Sequence, residues 1–127
     1  MRRETVQRRA LRAVFQRHDA PLGIMEILDL GRGIVPSLNI ATVYRNVNAM
    51  IEEGLLRRVN HPALGTLYER TGKGHHHHFH CHSCDRIYEL PGCSLKEGAV
   101  APEGFVVEEH EVFLAGVCPE CGSAGET

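Results

Sequence analysis

The stretch NIATVYRNVNAMIEEGLLRRV, residues 39–59, changes its period partway along. From Ile40 to Ile51 the apolar side chains Ile40, Val43, Val47, Met50 and Ile51 recur every three or four residues, which is the stripe of an amphipathic helix. Asn39 stands where a helix N-cap is wanted, and Gly54 sits just past the helix end. LLRRV (55–59) then reads as a strand. TLYER (66–70) reads as its hairpin partner, across a loop containing Pro62 and Gly65.

Two more helices precede this unit. In residues 4–17, ETVQRRALRAVFQR, a single face collects Val6, Ala10, Leu11, Val14 and Phe15, with Arg8, Arg9 and Arg12 largely off it. A second short helix is expected over Ile24–Leu30, with Ile24, Ile27 and Leu28 inward, ending at Gly31 or Gly33. Three short helices followed by a hairpin is the order of a winged helix-turn-helix. Its third helix must offer short polar or arginine side chains to a major groove, and Thr42, Arg45 and Asn46 occupy the exposed face. Residues 1–60 carry ten arginines and six acidic residues, net +4, a balance that favours phosphate contact. Residues 61–127 are net −6, and all the cysteines and most of the histidines lie there.

The second half centres on GHHHHFHCHSC, residues 74–84. An expression tag sits at a terminus, whereas this internal run leads directly into Cys81-x2-Cys84. A second CxxC, Cys118 and Cys121, follows after 33 residues. Four thiolates in two CxxC pairs form a structural Zn2+ pattern, with rubredoxin-like iron as the chemical rival. A subdomain of this size buries little apolar surface, so a metal staple has a structural use. If residues 75–80 are extended, alternate side chains face opposite ways. His75 and His77 then share one face, and His76, His78 and His80 the other, so one run can serve two metals. Glu69, Glu89, Cys93 and His110 are the candidates to complete the two sets. His110 lies in GFVVEEHEVFLAG (104–116), expected as one strand.

The chain has no HExxH, no HxE…PCxxC, no G-x-S-x-G and no P-loop, and CPEC (118–121) lacks the βαβ setting of a redox motif. An enzyme is therefore not expected. With no signal peptide and no 20-residue apolar span, a soluble, cytoplasmic protein without membrane attachment is expected.

The combination of ATVYRNVNAMIEEGLL (41–56), HHHHFHCHSC (75–84) and VCPECG (117–122) resembles the ferric uptake regulator family of metal-dependent bacterial repressors. The resemblance implies an α+β protein: a winged-helix DNA-binding domain over residues 1–71, and a small α/β dimerisation domain over 72–127 stapled by zinc. It implies a homodimer on a palindromic double-stranded DNA operator. Tyr44 and Arg45 match the family's DNA-contacting pair. Glu69, His76, His78 and Glu89 match its interdomain sensing site, and His75, His77 and His110 match a second regulatory site, with Cys93 nearby. The loop that often donates a further sensing histidine reads Ala20-Pro21-Leu22 here, leaving His61 or His18 as substitutes. A shell with Cys93 and three histidines suits Zn2+ more than Fe2+ or Mn2+, so a zinc-responsive member is expected. An iron- or manganese-responsive member is the alternative. A metal store or chaperone without specific DNA binding is the alternative from another class.

Overall fold

The computed structural model describes residues 4–72, 76–92 and 101–125. Its contacts divide into two compact units, residues 1–72 and 73–127. The fold is α+β. Among the described residues, no helix is long and apolar enough to cross a membrane.

The first unit holds α1 (Val6–Arg17), α2 (Ile24–Arg32), α3 (Ile40–Glu52), β1 (Leu56–His61) and β2 (Gly65–Arg70). Side chains cap two of the helices: the Thr5 hydroxyl accepts from Arg8 N–H at 3.1 Å, and Asn39 Oδ1 from Thr42 N–H at 2.9 Å. At α2, the Glu26 carboxylate reaches back to the Gly23 N–H. The apolar stripes converge on one core: Leu11, Val14 and Phe15 from α1, Ile27 and Leu28 from α2, Val43, Val47 and Met50 from α3, closed by Leu38, Leu56 and Tyr68. Each such side chain contributes about 1.5–3 kcal/mol on burial.

Ile40 departs from the expected stripe and is 40 % exposed. It is the first residue of α3, so its side chain projects beyond the end of the core. Gly31 is buried in α2, where a Cβ would stand 2.5 Å from Leu38 Cδ2, so a side chain there would have to displace the buried Leu38. The hairpin pairs Leu56 with Arg70 through His61 with Gly65. Leu22 adds a short antiparallel bridge, exchanging both backbone bonds with Tyr68 at 2.8 Å.

The second unit contains β3 (His76–Cys81), β4 (Ile87–Pro91), β5 (Phe113–Gly116) and the short α4 (Pro119–Gly125). The sheet order is β4-β3-β5, antiparallel between β3 and β4 and parallel between β3 and β5. The strand expected over 104–116 is thus confined to Phe113–Gly116. Pairing with β3 begins only where Phe113 meets His78, and residues 105–112 form no ladder among the described residues.

Candidate metal centre

Parallel pairing of β3 with β5 sets both CxxC turns at the same end of the sheet. Cys81 ends β3, opposite Gly116, and Cys118 follows two residues later. The two turns share one hydrogen-bond pattern: Asp85 N–H donates to the Cys81 carbonyl, and Gly122 N–H to the Cys118 carbonyl, both at 2.8 Å. Asp85 completes the first turn at φ 60°, a left-handed conformation that Asp tolerates better than most residues. Its carboxylate lies 3.1 Å from His80 Nε2. His80, expected on the face of His76 and His78, is thereby engaged with the cysteine turn.

The sulfurs of Cys81, Cys84, Cys118 and Cys121 all lie within 4.8 Å of one another. All four are free thiols, and Cys84 and Cys118 stand 3.9 Å apart. Tetrahedral zinc with Zn–S near ~2.3 Å gives S···S edges of about 3.8 Å, so the donor set fits a metal rather than disulfides. The electrostatics agree. Cys118 N–H donates to the Cys81 sulfur at 3.3 Å, and this bond holds the Cys81 thiol down at about 6. Cys118 is also lowered, by the Cys121 N–H and then the Tyr88 hydroxyl. Cys121, which faces the Cys118 sulfur, is pushed up to about 12. Four neighbouring thiols resist shedding all their protons unless a cation takes up the charge.

A different donor set lies on one face of the same sheet. His76, His78 and Glu89 offer ligand atoms within 4.8 Å of one another. The register places His78 directly opposite Glu89. His76 Nε2 lies 3.7 Å from Glu89 Oε1, and the two imidazoles meet edge to face with centroids 5.0 Å apart. The expected two-residue sorting is visible here, since His77 points elsewhere. Its ring lies 5.1 Å from that of His110, and its Nδ1 accepts from Val112 N–H at 3.1 Å. His75 and Cys93, the other members of the expected second set, lie outside the described residues.

In the first unit, Glu69 is buried on β2 directly opposite Arg57, whose Nε and Nη2 both reach Oε1 at 2.7 Å. His61, named as a substitute sensing ligand, caps the hairpin turn with one ring nitrogen: its Nδ1 accepts from Ala63 N–H at 3.0 Å and Leu64 N–H at 3.1 Å. His18 caps the C-terminus of α1. On α3, Tyr44 and Arg45 are exposed, while Thr42 and Asn46 are half-buried. Thr42 also organises its neighbours, taking Arg45 Nη2 on its hydroxyl at 3.3 Å and Asn46 Nδ2 on its carbonyl at 2.8 Å.

Sequence reasoning missed Glu111. Its carboxylate lies 3.8 Å from His78 Nδ1, a meeting created by the parallel β3–β5 register rather than by any local spacing.

Comparison with known proteins agrees with this architecture. The chain is 36% identical over 93 residues to the ferric uptake regulation protein of Campylobacter jejuni, covering 69% of this chain and 59% of that one. It spans about three fifths of the length of the curated relatives it matches. The solved Helicobacter pylori ferric uptake regulator, described as having three functional metal binding sites, superposes with a TM-score of 0.78 at 24% identity, covering 94% of this chain and 82% of that one. A zinc uptake regulator of M. tuberculosis superposes with a TM-score of 0.51 at 28% identity, covering 91% and 92%. The model of the ferric uptake regulator family matches residues 2–115, and the chain belongs to that family.

Proposed function

We propose that the chain is a metal-responsive transcription regulator, not an enzyme: a repressor that occupies a roughly palindromic DNA operator as a metal-loaded homodimer in the cytoplasm. The observation that carries this reading is the His76–His78–Glu89 cluster, a nitrogen and oxygen donor set distinct from the four cysteines. One donor set staples the fold, and the other responds to metal. In this reading Zn2+ occupies the four-cysteine site, and Glu69 is the first unit's contribution to the sensing site. When bound, the sensed ion supplies the bonds that tie Glu69 to His76, His78 and Glu89. Loading then favours one arrangement of the two units, and DNA tightens metal binding by the same factor that metal tightens DNA binding.

The relatives carry names for iron and for zinc, so they leave the sensed metal open. The described donors of the sensing cluster are imidazole and carboxylate, which accept Zn2+, Fe2+ and Mn2+. The thiolate that favoured zinc, Cys93, is outside the described residues. Operator binding measured by fluorescence anisotropy, with each metal buffered in turn, distinguishes the three. Operator binding that no metal affects would remove the sensing role altogether.

DNA contact is proposed for Thr42, Tyr44, Arg45 and Asn46 on α3. Arg45→Ala should weaken operator affinity by ~1–3 kcal/mol if Arg45 reads a base. Metal affinity measured without DNA should stay at the wild-type value. Normal operator binding by Arg45→Ala would take this face of α3 out of the interface.

The homodimer is proposed to form through the segment before β5. Phe105 and Val106 are 70% and 85% exposed, on backbone that forms no ladder among the described residues. An apolar stretch of this kind is what a second copy would cover. Val106→Glu should sediment as a monomer while keeping its cysteine-bound zinc. An unchanged dimer would move the interface elsewhere.

A further inference from the structure

The first unit uses its arginines in two ways. Arg8, Arg12, Arg57 and Arg70 are ion-paired, with Glu53, Glu4, Glu69 and Asp19 respectively. Arg45 and Arg58 meet neutral oxygens instead. Arg45 Nη2 reaches the Thr42 hydroxyl at 3.3 Å, and Arg58 Nη2 donates to Asn48 Oδ1 at 3.0 Å. Among the described residues neither has a carboxylate partner. A hydroxyl or amide oxygen orients a guanidinium without cancelling its charge.

The Arg58–Asn48 bond joins two elements. Asn48 lies three residues after Arg45, on the same exposed side of α3. Arg58 belongs to β1, where Leu56, Arg58 and Asn60 share one face of the strand. Leu56 is buried in the core, whereas Arg58 and Asn60 are exposed, so this face leaves the core at Arg58 and runs on beside α3. Beyond it, the Thr66 hydroxyl meets Asn60 Oδ1 at 3.4 Å across the hairpin. The acidic residues avoid this surface: none occurs from Ile40 to Ile51 or from Leu55 to Tyr68. The two uncompensated arginines thus stand on a helix face and a hairpin face that carry no negative charge. An exposed hydrogen bond of this kind adds little to a fold already closed by its core, whereas two held, unpaired guanidiniums suit a polyanion.

We propose that Arg58 clamps a backbone phosphate beside the groove that α3 enters, and that Asn48 is the positioning residue that holds its guanidinium at the helix edge. One N–H is used on Asn48, and the remaining donors of the fork are left for the phosphate oxygens. The inference rests on the DNA-binding reading above and extends the interface from α3 to the hairpin. It also divides the work between the two arginines: Arg45 reads sequence, and Arg58 sets register and orientation without reading it.

The test uses the full, metal-loaded chain. A duplex selected by that chain from a randomised pool serves as operator, and an unselected duplex of equal length as the reference. Anisotropy titrations across a KCl series give the slope of log affinity against log salt. Arg58→Ala should reduce that slope by about 1 per protomer and weaken both duplexes by the same factor, so that the preference for operator stays unchanged. Arg58→Lys should retain the slope. Arg45→Ala should instead shrink the preference. Asn48→Ala should weaken binding in the wild-type chain and add nothing further in Arg58→Ala. An unchanged slope in Arg58→Ala would overturn the phosphate contact, as would a loss confined to the operator. An equal effect of Asn48→Ala in both backgrounds would overturn the positioning role. If the unaltered chain selects no duplex from the pool, the regulator reading itself has failed, and the role of Arg58 fails with it.

Discussion

Replacing Cys81 with serine should strip the zinc proposed for the four-cysteine site and unfold the sheet of the second unit, while residues 4–72 keep their helical core. Cys81 is fully buried, ends β3, and takes a backbone N–H from Cys118 across the cluster. Serine offers no thiolate, so the site drops to three ligands. Structural zinc supplies on the order of 10 kcal/mol or more to small domains of this kind, which exceeds what a three-stranded sheet with exposed apolar residues retains without it. Zinc quantification together with hydrogen exchange on the two units checks this directly. Full zinc content with native protection in β3–β5 would disprove the structural role of the cluster.

Acid should act in the same direction. The folded chain holds the Cys81 thiol down at about 6, below the ordinary thiol value near ~8.5. A lowered value means the thiolate's stabilisation is fully present above about 8.5 and is lost as pH falls through about 6. Protons compete with an ion for all four thiolates, so zinc release followed with a chromogenic chelator should rise as pH falls.

The second large effect is expected in the first unit. Phe15 is 2% exposed and belongs to the cluster that includes Val43, Val47 and Met50 of α3. Phe15→Ala should cost about 3–5 kcal/mol, a large part of the stability of a domain this small. Operator affinity should fall with the folded fraction, because the exposed face of α3 is held only as firmly as the core beneath it. Zinc on the cysteines should be unaffected. Thermal unfolding resolved by unit, beside zinc content, separates the two outcomes. A loss under 1 kcal/mol would show that the core refills the space.

The parts of the molecule legible in the sequence are those set by short-range periods. The α3 stripe, its Asn39 cap and the hairpin pairing Leu56 with Arg70 follow from spacings of three, four and two. The separation of His76 and His78 from His77 follows from the strand period alone. What spacing could not reveal depends on meetings across the fold. That His61 closes the turn of its own hairpin through Nδ1 is one such meeting. His80 carried the right phase for the sensing face, yet Asp85 draws it to the cysteine turn. Residues 104–116 have strand composition throughout, but a ladder needs a partner, and β3 reaches only Phe113–Gly116. Glu111 was one acidic residue among several until the parallel register brought it to His78.

The parallel pairing of β3 with β5 also bears on how the second unit assembles in time. Neighbouring strands in a hairpin meet quickly, whereas β3 and β5 must first close the chain between Cys81 and Cys118. That closure is entropically unfavourable, and slanted parallel bonds offset it only once several have formed. An ion captured by the first CxxC lies where the second must arrive, so it can hold the encounter together before the ladder exists. If zinc is the ion these cysteines hold, refolding of this unit should therefore speed up with free zinc concentration until the first CxxC is saturated, so that the rate of this closure follows metal supply.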